Sequence, residues 1–173
     1  RDLRDAGVFL VREQPGLLRV LALIALINLF LSALFLVGLP YLIKITLGLS
    51  SQLYSFAEAA LSLGSILGGM LSGAALGRTG LRGAWRVLLG TALSLLPIAL
   101  ALALGLPPLA AYGVILAAVL AGMACAMLFT VAAQTYLQRA TPLHLMGKVA
   151  AFVSAISTCA MPLGQALYGV LFQ

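Results

Sequence analysis

Long apolar runs separated by short polar or basic segments form the dominant pattern along the chain. Because an α-helix rises about 1.5 Å per residue, a run of about 20 apolar residues is long enough to cross a bilayer. The uncharged run between residues 87 and 138 is too long for one crossing, and Gly105-Leu106-Pro107-Pro108 breaks it, since consecutive prolines cannot continue a helix. The pattern predicts an all-α fold, a bundle of five transmembrane helices. The predicted spans are 20–43, 53–76, 85–104, 109–134 and 149–172.

The segment 1–19 differs from the spans because apolar residues alternate with arginines and Pro15 interrupts it. This pattern predicts an amphipathic, juxtamembrane segment at the cytoplasmic surface. An ordinary linker with a few apolar residues is the alternative. The chain starts at Arg1 without a signal-peptide pattern, so we expect an internal piece of a longer protein.

Composition supports the membrane class. Hydrophobic residues make up 63% of the chain and charged residues 8%, against roughly a quarter charged in globular proteins. So few charges cannot cover the surface of a soluble domain. The net charge of +6 comes from residues at the ends of apolar spans rather than on a shared face, so we do not expect nucleic-acid binding.

The distribution of lysine and arginine predicts the orientation. Of the ten basic residues, only Lys44 falls on one predicted side. Cytoplasmic loops carry an excess of Lys and Arg, so the N-terminus is predicted to be cytoplasmic and the fifth helix to end outside. The nine residues predicted to be cytoplasmic are Arg1, Arg4, Arg12, Arg19, Arg78, Arg82, Arg86, Arg139 and Lys148.

Glu58 is the ionisable residue that lies deepest within a predicted span. A carboxylate in hydrocarbon is costly and usually faces a cavity on an ion or substrate pathway. Ser62, Ser65, Gly69 and Ser72 follow at helical spacing and share its face. A carboxyl in this setting could load and release a proton. The alternative is that Glu58 reaches water or Lys44 at the nearby outer end.

Two further polar sets fall inside spans. Asn28 and Ser32 lie one turn apart in the first span, and Ser154, Ser157 and Thr158 lie together in the fifth. Such groups either line a substrate cavity or form hydrogen bonds between helices.

Small residues line one face of the second span and allow close backbone approach, either in a bundle interior or at a dimer seam. They are Gly64, Ser65, Gly68, Gly69, Ser72 and Gly73.

Catalytic and cofactor-binding patterns are missing from the sequence. His144 stands in a predicted loop without a nucleophile or carboxylate nearby, and Cys125 and Cys159 lie in apolar runs, where they suit helix packing. No phosphate-binding loop and no metal-ligand spacing occur. We therefore expect neither an enzyme nor a cofactor or metal site.

The loop after the second span reads Gly73-Ala-Ala-Leu-Gly-Arg-Thr-Gly-Leu-Arg82. It resembles the signature loop of the major facilitator superfamily, Gly-x-Leu-Ala-Asp-Arg-x-Gly-Arg-Lys, in the weaker form of the C-terminal half. Gly73, Arg78, Gly80 and Arg82 match, while Gly77 stands at the aspartate position.

The loop after the fourth span reads Gln138-Arg-Ala-Thr-Pro-Leu-His-Leu-Met-Gly-Lys-Val149. With Pro142, Gly147 and Lys148, it is similar to the Arg-x-x-Pro-x-x-x-x-Gly-Arg-Val stretch of bacterial exporters in that superfamily, the branch of siderophore and macrolide efflux proteins. The sequences 2–10 and 160–164 also look like that branch.

The resemblance covers nearly the whole chain and implies the seventh to eleventh helices of a twelve-helix transporter. It implies efflux of a small amphiphilic molecule by ion-gradient-driven alternating access, as in an antiporter of the bacterial inner membrane. The implied partners are that substrate, the lipid bilayer and the N-terminal half of the same transporter, with self-association of the fragment open. The alternative function is a non-transporting, membrane-embedded interaction or assembly module.

Overall fold

The computed structural model describes residues 15–32, 34–79 and 84–171, with the side chains of residues 15, 28, 32, 74–79, 84 and 171 left out. The predicted segment 1–19 therefore lies mostly outside the described residues. The described backbone is helical apart from short turns, and it contains five helices long and apolar enough to cross a membrane. The predicted all-α, five-span fold is confirmed. The candidate spans are Gly16–Thr46, Ser51–Gly73, Trp85–Ala103, Pro108–Ala140 and Met146–Val170.

The first span changes its helical geometry along its length. It begins as α1 (Pro15–Ile27) and continues through three π-helical stretches, in which each N–H bonds to the carbonyl five residues back. The helix starts five residues before the predicted span, inside the segment predicted to lie at the surface. The π-helical stretches are Asn28–Ser32, Leu34–Gly38 and Tyr41–Thr46.

The other four helices are regular. They are α2 (Ser51–Thr79), α3 (Ala84–Ala103), α4 (Pro108–Ala140) and α5 (Met146–Leu171). Pro97 lies inside α3 and Pro162 inside α5, and both helices continue through them. Membrane helices tolerate such interior prolines because neighbouring groups satisfy the freed carbonyl.

The break between α3 and α4 forms where the Gly-Leu-Pro-Pro sequence predicts it. Gly105 adopts a φ of 62°, a left-handed conformation that glycine reaches without steric cost. Its N–H donates to the Leu102 carbonyl at 3.2 Å, and the Leu106 N–H donates to Ala101 at 3.2 Å. These two bonds form a Schellman motif, which satisfies the last carbonyls of α3. Pro108 then begins α4 at a position where its missing N–H costs nothing.

The chain forms two compact units. The first unit comprises residues up to Leu39 together with those from Ala133, and the second unit comprises Pro40–Ala132. In the first unit, α5 packs along α1 and the adjoining π-helical stretches. Its buried core includes a cluster formed by Leu17, Leu21, Leu137, Val149 and Val153.

In the second unit, glycines bring α2 and α4 into backbone contact. A methyl carbon added at Gly64 would lie 2.5 Å from the Leu120 carbonyl oxygen, and one at Gly68 would lie closer still to that of Ala124. Gly64 faces Leu120 and Gly68 faces Ala124, so the residue numbers increase in the same direction along both helices. The helices α2 and α4 therefore run parallel. This is the arrangement expected when α3 crosses back between them. The small-residue face predicted from the sequence is therefore used, at these two positions, for packing within the chain.

Much of each span is apolar and faces away from the chain. Only 11 to 33% of each span is buried within the chain. Met70, for example, is 74% exposed. In a soluble protein such surface would aggregate, whereas lipid or neighbouring membrane helices cover it at no hydrophobic cost.

The two neighbouring glycines Gly68 and Gly69 give a matched test of this packing. We expect Gly68→Ala to destabilise the protein by about 1–3 kcal/mol, because α4 backbone occupies the space that the new methyl group needs. Gly69→Ala meets nothing within 4 Å and should be neutral or slightly stabilising. Thermal unfolding in lipid nanodiscs measures both, and equal melting temperatures for the two variants would contradict the close α2–α4 contact.

Candidate functional site

Glu58 lies on α2 within the second unit, seven residues after Ser51. At about 1.5 Å per residue it is roughly 10 Å along the helix from its start. Its side chain is exposed on the helix surface. The Tyr54 hydroxyl, one turn earlier, donates a hydrogen bond to Glu58 Oε1 at 2.7 Å. Within the candidate span, one oxygen of this carboxylate therefore accepts a hydrogen bond from a neutral donor.

Lys44 approaches the same tyrosine from the end of the first span. Its Nζ lies 4.9 Å from the centre of the Tyr54 ring, a cation–π distance. The π-helical stretch Tyr41–Thr46 packs against α2 and places the lysine there. Tyr54 thus contacts both the cation through its ring face and the carboxylate through its hydroxyl. We call Lys44, Tyr54 and Glu58 the carboxylate cluster.

This arrangement lowers the cost of a charge inside the membrane without neutralising it. A hydroxyl donor stabilises the ionised carboxylate, and the face of the Tyr54 ring stabilises the Lys44 ammonium group.

The serines that share the Glu58 face direct their hydroxyls into their own helix. Ser62 donates to the Glu58 carbonyl at 3.1 Å, Ser65 to Leu61 at 3.0 Å and Ser72 to Gly69 at 2.6 Å. Such bonds to preceding carbonyls are common for serine in helices. The predicted polar face exists, but its hydroxyl protons are already used, so towards a ligand it offers oxygen lone pairs.

The polar residues predicted in the first and fifth spans belong to the first unit. The π-helical stretch Asn28–Ser32 packs against α5, but the Asn28 and Ser32 side chains lie outside the described residues. On α5, Ser157 is half-buried, while Ser154 and Thr158 are exposed. The structure therefore assigns the predicted pathway residues to both units, with Glu58 and the α2 serines in the second.

A cavity of about 340 Å³ opens in the first unit beside the turn that joins α4 to α5. Three polar residues of α4 and its end lie along one helical stripe, and Ser154 faces them from α5. The cavity wall consists of Gln134, Leu137, Gln138, Thr141, Met146, Val149, Ala150, Val153 and Ser154. Of the predicted pathway residues, Ser154 is the one that lines it.

The second loop motif forms this same turn. Pro142 follows the end of α4, and the Leu145 N–H donates to its carbonyl at 2.9 Å. Gly147 and Lys148 stand in the first turn of α5. Proline at this position disfavours helical conformation at the preceding Thr141, which explains why α4 ends at Ala140.

The first loop motif is described only in part. Gly73 lies on α2, exposed, with open space around it, and the helical backbone continues through Arg78 to Thr79. The Arg78 side chain, Gly80 and Arg82 lie outside the described part of the structure.

Sequence reasoning missed Tyr54 and the polar stripe at the end of α4. Both had a signal. Tyr54 stands four residues before Glu58, the spacing at which helical side chains meet. Gln134, Gln138 and Thr141 recur at intervals of four and three, which places them on one face.

Comparison with known proteins identifies the family. The model of the Major Facilitator Superfamily matches residues 2–165. No curated protein and no solved structure matches the chain. The family match spans all five candidate membrane helices almost completely, and it includes both loop motifs. The family match covers nearly the whole chain, and the five apolar spans agree with it. This chain is therefore an integral membrane protein that belongs to the major facilitator superfamily, a family of transporters.

Proposed function

We propose that this chain forms part of a secondary transporter that exports a small amphiphilic molecule by alternating access, driven by an ion gradient. The observation that carries the proposal is the carboxylate of Glu58, held within a membrane span by Tyr54. An ionisable group in a span is costly and is kept mainly where its charge is used. Its change of charge can link ion movement to the conformational cycle. Export, rather than uptake, and a bacterial inner membrane rest on the resemblance of the turn after α4 to exporters.

Within this proposal Tyr54 is a positioning residue and Glu58 the titrating group. Tyr54 holds one carboxylate oxygen at 2.7 Å, and its ring centre lies 4.9 Å from Lys44 Nζ. Protonation of Glu58 would remove the negative charge that the Tyr54 hydroxyl stabilises. This change of charge is the local event that would bias one conformation over the other.

The alternative, a non-transporting assembly module, rests on the small-residue face of α2. Gly64 and Gly68 pack closely on α4 of the same chain. These two positions are consequently unavailable to a partner helix, whereas Gly69 and Gly73 of the same small-residue set have open space around them and remain accessible to one.

The first prediction concerns coupling. We expect Glu58→Gln to leave folding intact and to lower gradient-driven efflux at least about tenfold, because glutamine preserves shape but cannot titrate. Tyr54→Phe, which keeps the ring under Lys44 but removes the donor, should slow efflux while leaving it dependent on the gradient. Efflux of fluorescent amphiphiles from proteoliposomes with an imposed proton gradient, at matched protein density, measures both.

Ser55→Ala is the control for this experiment. The Ser55 hydroxyl donates to the Ser51 carbonyl of its own helix at 3.2 Å, and Ser55 is not among the predicted pathway residues, so its removal should leave efflux unchanged. If Glu58→Gln exported as well as the native protein, Glu58 would be a carboxylate that merely reaches the membrane surface.

The second prediction concerns orientation. In a background with Cys125 and Cys159 replaced by alanine, a cysteine at Leu143, which is 90% exposed in the α4–α5 turn, should react with a membrane-impermeant maleimide only from the cytoplasmic side. A cysteine at Leu104, 74% exposed after α3, should react only from the outside. The reason is the concentration of Lys and Arg on the side of the α4–α5 turn. The reverse pattern of labelling would refute this orientation.

A further inference from the structure

The lining of the cavity beside the α4–α5 turn includes Thr141, whose buried hydroxyl has no hydrogen-bond partner among the described residues. Thr141 is 6% exposed, and its Oγ1 makes no hydrogen bond within the described part of the protein. The backbone N–H of the same residue is satisfied, since it donates to Leu137 at 3.1 Å. A buried hydroxyl without a partner costs about 1–3 kcal/mol. Native structures seldom keep such a group unless something else bonds to it.

The cavity, at about 340 Å³, is much larger than a site for a single water. Small-molecule sites begin at about 300 Å³ and combine an apolar wall with a few convergent polar groups. Here Leu137, Val149 and Val153 form the wall, and their buried side chains belong to the core of the first unit.

The chemistry of the lining selects a class of ligand. The carboxamides of Gln134 and Gln138 offer both donors and acceptors, and the hydroxyls of Thr141 and Ser154 do the same. None of the nine lining residues is charged, so a fully charged group would be desolvated there without a counter-ion. Arg139 and Lys148, next to the lining in sequence, further disfavour a cation.

From these observations we propose that this cavity is a binding site for a small amphiphile with a neutral hydrogen-bonding head, an amide or a hydroxyl. The head bonds to Thr141 and the two glutamines, and the alkyl part lies against the apolar wall. This site uses none of the residues of the carboxylate cluster, and binding to it does not depend on whether the chain transports.

The test uses the full chain in lipid nanodiscs and a defined probe, N-hexylacetamide with a photoreactive diazirine in its alkyl chain. We expect saturable labelling that mass spectrometry maps to residues 134–154. Unlabelled N-hexylacetamide should compete, whereas hexyltrimethylammonium should not. The proposal would be overturned by labelling that does not saturate or that maps elsewhere. It would also be overturned by an absence of labelling because another segment of the full chain fills the cavity.

Thr141→Val separates a ligand site from a structural role. Valine keeps the shape and removes only the hydroxyl, so half-saturation should rise about three- to tenfold, the value of one hydrogen bond. Without ligand, the melting temperature should stay the same or rise, because an unsatisfied buried hydroxyl has been removed. Thr130→Val is the matched control on α4, since the Thr130 hydroxyl already donates to Ala126 at 2.9 Å, and it should leave labelling unchanged. Unchanged half-saturation in Thr141→Val, or a loss of stability without a change in labelling, would overturn the proposed site.

Discussion

Every backbone polar group that enters hydrocarbon must find its partner inside the protein, and the rest of this structure depends on that constraint. It explains why the described spans are helical from end to end and why their breaks are so compact. At Gly105 the left-handed turn lets two N–H groups cap the end of α3. Side chains obey the same rule, since serines and threonines along α2, α3 and α4 donate to carbonyls of their own helices.

Once backbone bonds are satisfied within helices, little apolar attraction remains to bring the helices together, because lipid is as apolar as leucine. Close packing must then come from shape. Gly64 and Gly68 supply it by letting α2 approach the backbone of α4. The Tyr112 hydroxyl adds a polar link between the same helices, donating to the Leu53 carbonyl at 2.8 Å. The second unit is thus held by glycine contacts along the helices and by a hydrogen bond near one end.

The sequence was sufficient for the number of spans, their class and the break at Pro107-Pro108, because these depend on composition and on backbone chemistry that each residue carries with it. The sequence did not predict the hydrogen-bond partners of the polar side chains. A serine at helical spacing from Glu58 looks the same whether its hydroxyl faces a cavity or bonds to its own helix, and the structure has Ser62 and Ser65 in the second state. Nor could spacing reveal the π-helical geometry around Asn28, in the stretch that packs against α5.

The contrast between Thr130, inside α4, and Thr141, just beyond its end, shows where functional chemistry can arise in such a fold. Thr130 lies within the helix, where the carbonyl of Ala126 is in reach and takes its proton. Thr141 lies one residue beyond the end of α4, where Pro142 prevents the helix from continuing. There its hydroxyl is buried without a hydrogen bond to any residue that the structure describes. Within the helices of this chain, hydroxyls such as that of Thr130 give their proton to a carbonyl of their own helix, which leaves only their lone pairs for a ligand. Just beyond the end of α4, the Thr141 hydroxyl makes no such bond and can offer both its proton and its lone pairs.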